Sequence, residues 1–266
     1  MKKSAALILS IIMLLSLCAC GDSKAPEETG SDLAYIQEKG TLVVGITEFN
    51  PMDYRSNDDP TGWIGFDADM AKEFAEYIGV DVQFIEIDWD NKIMELGSKS
   101  IDAVWNGMTL TPEALNSMSC TAPYANNAQV VVVKADAADK YQDRDSLGEL
   151  SFAVEAGSAG EACAKELGTE PVSVLTQADA LMEVASGTSD ACIIDLLMAG
   201  AMIGEGTSYP ELAYTVKLTS EEYGVGFRQG SDVAEKFNEF YAEALASGRV
   251  MEIAQQYGVQ ESIISE

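Results

Sequence analysis

Short β-branched runs alternate with amphipathic stretches along most of this chain, and that alternation limits its fold more than any other feature. Residues 129–134 (QVVVVK) are the sharpest case, four consecutive valines that read as a fully apolar strand. Residues 41–46 (TLVVGI), 81–86 (DVQFIE), 101–104, 151–154, 191–194 and 224–228 (GVGFR) read as further strands. Between them apolar residues recur at helical steps. Phe66, Met70, Phe74 and Ile78 predict a helix over 67–78, and Val233, Phe237, Phe240, Tyr241 and Ala244 predict one over 231–247. Shorter helices are expected over 91–96, 161–167, 178–186 and 196–203, and Gly248 and Gly258 read as helix stops. Thr111-Pro112-Glu113 has the order of an N-cap, a first-position proline and a first-turn acid. This alternation implies an α/β protein with mostly parallel sheets. No internal repeat is visible.

The N-terminus speaks to compartment. Lys2 and Lys3 precede an apolar run over 5–17, shorter than the roughly 20 residues of a membrane-spanning helix. A positive start, a short apolar core and a small-residue exit read as a secretory signal. The exit, Leu17-Cys18-Ala19-Cys20-Gly21, resembles a bacterial lipobox. Cys20 fits as the lipidated residue, because Leu17 directly before Cys18 is too large for the cleavage pocket. The expected division is a leader over 1–19, then Cys20 and a small, polar tether over 20–31, then a folded chain from about Asp32, long enough to bury a core. A lipid on Cys20 would hold that chain at the membrane surface.

The chain carries 44 acidic against 16 basic side chains, a net charge of −28, and loss of the leader removes two lysines more. Phosphate repels such a surface, so nucleic acid is excluded as a partner, and contact with an anionic membrane is expected through the lipid alone. There is no histidine and no CxxC spacing, so neither a zinc site nor another cofactor is expected. Cys120, Cys163 and Cys192 cannot all pair with one another, and one disulfide among them is left open.

In open α/β sheets ligands bind beyond the carboxyl ends of the strands. Four such loops carry chemistry. After Ile46, Glu48 and Phe49 set an acid beside a ring. After Val104 come Trp105, Asn106, Gly107, Met108 and Thr109, in which the glycine permits close approach of backbone to a ligand. After Val154, the segment Glu155-Ala156-Gly157-Ser158-Ala159-Gly160 opens a helix whose first N–H groups can hold a carboxylate. After Ile194, Asp195 either pairs with an ammonium or caps the next helix.

Gly65-Phe66-Asp67-Ala68-Asp69-Met70-Ala71 resembles the GFD-x-[DE]-x-A signature of bacterial extracellular solute-binding proteins that serve polar amino-acid ABC importers. The resemblance spans nearly all of 32–258 and takes in Phe49-Asn50-Pro51-Met52, Ile101-Asp102-Ala103, Asn106 to Thr109, Gly157-Ser158, the stretch Asp190 to Asp195 and Gly224 to Arg228. It implies a two-lobed fold of the periplasmic-binding-protein type II, hinged on two crossing strands. Lobe one would be 32–125 with 222–260, and lobe two 126–221. It further implies Phe49 as a stacking ring, Trp89 as an apolar cavity wall, Asn106, Gly107 and Thr109 as polar contacts, Gly157, Ser158 and Ala159 as helix-start contacts, and Asp195 as the acceptor of a ligand ammonium.

One departure bears on the ligand. Relatives commonly place an arginine where this chain has Ala114, and that arginine grips the ligand carboxylate. With Ala114 there and no basic neighbour in sequence, Glu48, Phe49, Trp89 and Asp195 suit a cationic ligand, whether a basic amino acid, a polyamine or a methylated amine. Glu48 alternatively reads as a solvated loop acid, Trp105 as core, and Arg228 as a structural cation. The expected function is a lipid-anchored, monomeric solute-binding protein of an ABC importer, working with a permease and not as an enzyme. A solute-sensing module and a dehydratase-like enzyme on the same fold are the alternatives.

Overall fold

Valine-rich strands assemble into two separate sheets in this chain, whose structure, a computed structural model, describes residues 30–56 and 59–265. The leader and Cys20 lie outside the described residues. In chain order come α1 (Asp32–Lys39), β1 (Thr41–Ile46), β2 (Tyr54–Arg55), β3 (Trp63–Ile64), α2 (Phe66–Ile78), β4 (Asp81–Glu86), α3 (Lys92–Gly97), β5 (Ala103–Thr109), α4 (Pro112–Ser117), β6 (Ser119–Cys120) and β7 (Ala125–Asn127). The chain then enters a second sheet with β8 (Gln129–Lys134), β9 (Phe152–Glu155), α5 (Ala159–Glu166), β10 (Val172–Val174), α6 (Gln177–Ser186), β11 (Ala191–Asp195), α7 (Leu196–Met202) and β12 (Leu212–Lys217). It returns with β13 (Glu221–Phe227), α8 (Val233–Ala246) and α9 (Arg249–Tyr257).

The first sheet has the order β4-β1-β5-β13-β6, with β7 also beside β13, and the second has the order β10-β9-β11-β8-β12. Each is parallel over its first three strands and antiparallel beyond them. The expectation of mostly parallel sheets is therefore corrected to mixed ones. The reason is local: β8 and β13 arrive directly from the other sheet, without the crossover helix that parallel pairing needs.

The all-valine run is explained by cover on both sides. Val130 and Val132 pack with Ala180, Leu181 and Val184 of α6, while Val131 and Val133 pack with Cys163 and Ala164 of α5. In the first sheet Leu42, Val44 and Ile46 face α2 and α8, and Val43 faces the Trp89, Leu96 and Ile101 side. Such burial is worth about 25 cal/mol per Å² of apolar surface and is the main term holding each half together.

Trp105 belongs to the core. Its ring stands perpendicular to that of Phe237 at 4.9 Å between centroids and also meets Phe74, so the strand's alternation turns it away from the ligand side. Arg228 is likewise structural: it pairs with Asp32 and Asp102 and donates to the Ile101 carbonyl, tying α1 to the start of β5. Cys120, Cys163 and Cys192 are free thiols. No helix among the described residues is long and apolar enough to cross a membrane.

Two passages link the sheets. Ala128 alone separates β7 from β8, and residues 218–220 separate β12 from β13. β7 and β13 pair side by side, Asn127 against Glu221 and Ala125 against Tyr223, so both passages leave one antiparallel ladder.

Candidate ligand-binding site

A cavity of about 270 Å³ lies between the two sheets' carboxyl-end loops. From the first sheet it is lined by Thr47 and Phe49 after β1, Trp89 and Lys92 around the start of α3, and Asn106, Gly107 and Thr109 at the end of β5. From the second it is lined by Glu155 at the end of β9, Gly157, Ser158 and Ala159 at the start of α5, Gln177 of α6, and Asp195 at the end of β11. Its size falls just below the roughly 300–1,000 Å³ of pockets for drug-sized ligands.

The expected loop at 106–109 is in fact the end of β5. Its conformation is set from behind by two buried acids. Asp67, from the GFD sequence, accepts from the Gly107 N–H at 2.6 Å and from the Tyr124 hydroxyl at 2.8 Å. Burial pushes its carboxyl up to about 6, and those two donors hold it from rising further. Asp53 accepts from Asn106 Nδ2 at 2.8 Å, while Asn106 Oδ1 accepts from the Thr47 N–H and hydroxyl. The side-chain amide of Asn106 is thus engaged by Thr47 and Asp53 on the first sheet's side. Gly107 has φ +54°, and a β-carbon there would strike the Phe49 ring and stand 3.1 Å from that of Tyr223. Only glycine lets the Phe49 ring come this close to the strand.

Asp195 occupies the position before α7, yet its side chain caps no helix N–H. It accepts instead from Asn127 Nδ2, from Gln129 Nε2 at 3.0 Å, from the Tyr223 hydroxyl at 2.6 Å and from Gln177 Nε2. The donors come from both sheets. Asn127 and Gln129 also donate to Glu221 Oε1, at 2.7 and 2.8 Å, so two carboxylates share two amides across the crossing strands. Burial, and then repulsion by Glu221, push Asp195 up to about 7, against the pull of its donors.

Glu155 is the contrasting acid. It is 2 % exposed, and its Oε1 has no hydrogen-bond partner. Burial pushes its carboxyl up to about 8, with Asp195 adding to the shift and Thr47, Lys92 and Gln177 opposing it.

Lys92 is the one cation of this lining among the described residues. Its ammonium donates to the Trp89 carbonyl at 3.1 Å and to the Gly157 carbonyl of the other sheet at 2.9 Å, and it lies 5.0 Å from the Trp89 ring centroid. Burial lowers its pKa, while Glu113 and Glu155 act to raise it. An ammonium has three N–H bonds, so one remains for a ligand. Gly157 (φ +69°) makes this approach possible, since a β-carbon would come 2.6 Å from the Asp90 Cα.

Most of the sequence-derived candidates therefore meet in one cavity: Phe49, Trp89, Asn106, Gly107, Thr109, Gly157, Ser158, Ala159 and Asp195. Glu48 does not join them. It is exposed and borders a second cavity with Asn50, Tyr54 and Arg55, because neighbours along an extended turn point opposite ways and Phe49 takes the inward side. Ala114 does line the main cavity, and Lys92 supplies the cation that its neighbours in sequence lack.

Sequence reasoning missed Thr47, Lys92, Glu155 and Gln177 as cavity residues. Two of these had a readable signal. Lys92 stands three residues after Trp89, the spacing that puts both on one helical face, and Glu155 ends an apolar strand just as Asp195 does. No group of three or more metal-ligating side chains occurs among the described residues.

Residues 42–260 match the sequence profile of the bacterial extracellular solute-binding proteins, family 3. The arginine-binding extracellular protein ArtP of Bacillus subtilis is 27% identical over 265 residues, 97% of this chain and 98% of its own. A solved structure of a mutant ArgBP from T. maritima superposes with a TM-score of 0.79 at 28% identity, covering 85% of this chain and 99% of that one. An ancestral amino-acid-binding protein described as a precursor of cyclohexadienyl dehydratase gives 0.77 at 28% identity, with the same shares of each chain.

Proposed function

The chain belongs to the bacterial extracellular solute-binding proteins, family 3, and on that premise we propose that it captures an amino acid or related amine between its lobes and passes it to an ABC permease, without chemical turnover. Lobe one would be 32–125 with 222–260, and lobe two 126–221. The observation that carries this reading is Asp195, a carboxylate fixed by four neutral donors from both sheets and still bordering the cavity. Such a group is already oriented to receive an ammonium by a charge-assisted hydrogen bond. Phe49 and Trp89 supply ring faces, and Ser158 and Ala159 supply a helix start. Ligand would land on lobe one, and lobe two would close on it through contacts present only in the closed form. Relatives described as arginine-binding and glutamine-binding support the amino-acid class. Cys20, beyond the described residues, would carry the lipid that holds a monomeric protein outside the cell membrane.

Calorimetry with the Asp195→Asn variant tests the assignment. A charged hydrogen bond contributes about 1.5–3 kcal/mol, so affinity for the amino acid should fall about ten- to hundredfold. Unchanged affinity would remove Asp195, and with it this reading of the cavity.

A further inference from the structure

The cavity is bordered by a buried acid that the protein satisfies only in part: Thr47 and Gln177 donate to the Glu155 carboxyl, yet one of its oxygens has no partner. Glu155 Oε1 is buried, borders the cavity and has no hydrogen-bond partner. A buried acceptor left alone costs free energy, and in a folded protein such an atom calls for a reason. Glu155 is the last residue of β9, a strand buried throughout, and it is turned to the cavity lining. Lys92 acts on it electrostatically, and the two form no ion pair within 4.0 Å among the described residues. The lining as a whole carries three acids, Glu113, Glu155 and Asp195, against the single ammonium of Lys92.

We propose that Glu155 determines specificity by receiving a second positive group of the ligand, so that the substrate class is amino acids with a cationic side chain. This rests on the reading of the cavity as an amino-acid site. Glu155 and Asp195 would then each meet one positive group of the ligand. The ligand's α-ammonium meets Asp195, its carboxylate takes the remaining N–H of Lys92 in place of the absent arginine, and its side-chain cation meets Glu155. A neutral side chain would leave the free Glu155 oxygen without a charged partner. The rings of Phe49 and Trp89 border the same space and favour a cation over a neutral group. The volume of about 270 Å³ suits one amino acid and not a peptide.

The experiment measures affinities of the full folded protein for arginine, lysine, and citrulline, an uncharged arginine isostere, beside those of Glu155→Gln and Asp195→Asn. The wild type should bind arginine or lysine at least tenfold more tightly than citrulline. Glu155→Gln should lose that preference through a ten- to hundredfold weaker grip on the basic ligand, with citrulline affinity held or improved. Glu155→Asp should restore part of the preference. Asp195→Asn should weaken all three ligands alike. If Glu155→Gln leaves the ratio of arginine to citrulline unchanged while Asp195→Asn weakens both, the specificity role is overturned and the amino-acid site stands. If citrulline binds as tightly as arginine to the wild type, the substrate class is overturned. If none of the three binds, both readings fall together.

Discussion

β9 and β11 are adjacent parallel strands of one sheet, each ending in a buried acid at the same cavity, and the two acids are treated oppositely. Asp195 is surrounded by four donors, whereas one oxygen of Glu155 has none. Position in the fold therefore does not decide whether a strand-end carboxylate is at rest. What decides it is whether the neighbouring elements bring amides. The β7–β8 passage delivers Asn127 and Gln129 to Asp195, and β13 delivers Tyr223, while nothing comparable reaches Glu155 Oε1. Asp53 and Asp67 also keep one unpartnered oxygen each while supporting β5, and what sets Glu155 apart from them is its place in the cavity lining.

The contrast should appear first as opposite signs in stability. Asp195→Ala removes the acceptor of four buried donors and should lower unfolding free energy by about 3 kcal/mol or more, read from urea midpoints. Glu155→Gln, which relieves a carboxyl displaced by burial, should leave stability unchanged or raise it by roughly 1–2 kcal/mol near pH 7. A loss for Glu155→Gln as large as that for Asp195→Ala would end the comparison.

The sign also has a pH dependence. Glu155 and Asp195 titrate at about 8 and about 7 in the fold, above their ordinary carboxylate values. Between the ordinary and the raised values the folded state holds more protons than the unfolded one, so stability of the ligand-free protein should fall as pH rises from about 5 to about 8. The charged groups acting on this pair are Lys92 on Glu155 and Glu221 on Asp195, with Asp195 acting on Glu155, and Glu155→Gln should flatten the slope by up to about 1.4 kcal/mol per pH unit over the part that Glu155 supplies. The smallest effect should come from Lys92→Met. It removes one hydrogen bond between the two sheets' halves and the proposed ligand contact, and should weaken amino-acid binding about tenfold in calorimetry with little change in melting.

Much of the fold was legible because its main signals are local. The valine run, the strand-end loops and the helix over 66–78 follow from side-chain period alone. Asp195 was legible as an acid closing an apolar strand, although two roles fitted it equally until its donors were known. Glu155 offered the same local sign, but an acid followed by small residues reads as the start of a loop, and only burial distinguishes the two. Lys92 was hidden for a different reason. Its importance depends on the Gly157 carbonyl, 65 positions away in the other sheet, and no period in the sequence encodes that meeting. Glu48 misled in the reverse direction, since its neighbour Phe49 took the inward side of the turn.

The pairing of Asn127 with Glu221 has a consequence for how such a site can change. The segment between them leaves and re-enters the molecule at neighbouring points, so it is a cassette with adjoining ends. Both Glu155 and Asp195 lie inside it, whereas Phe49, Trp89 and Lys92 lie outside. Exchange of that stretch would carry Glu155 and Asp195 into another scaffold, and would leave the rings, Glu113 and the cation behind. The ligand preference proposed for this cavity would then travel with one contiguous stretch of gene.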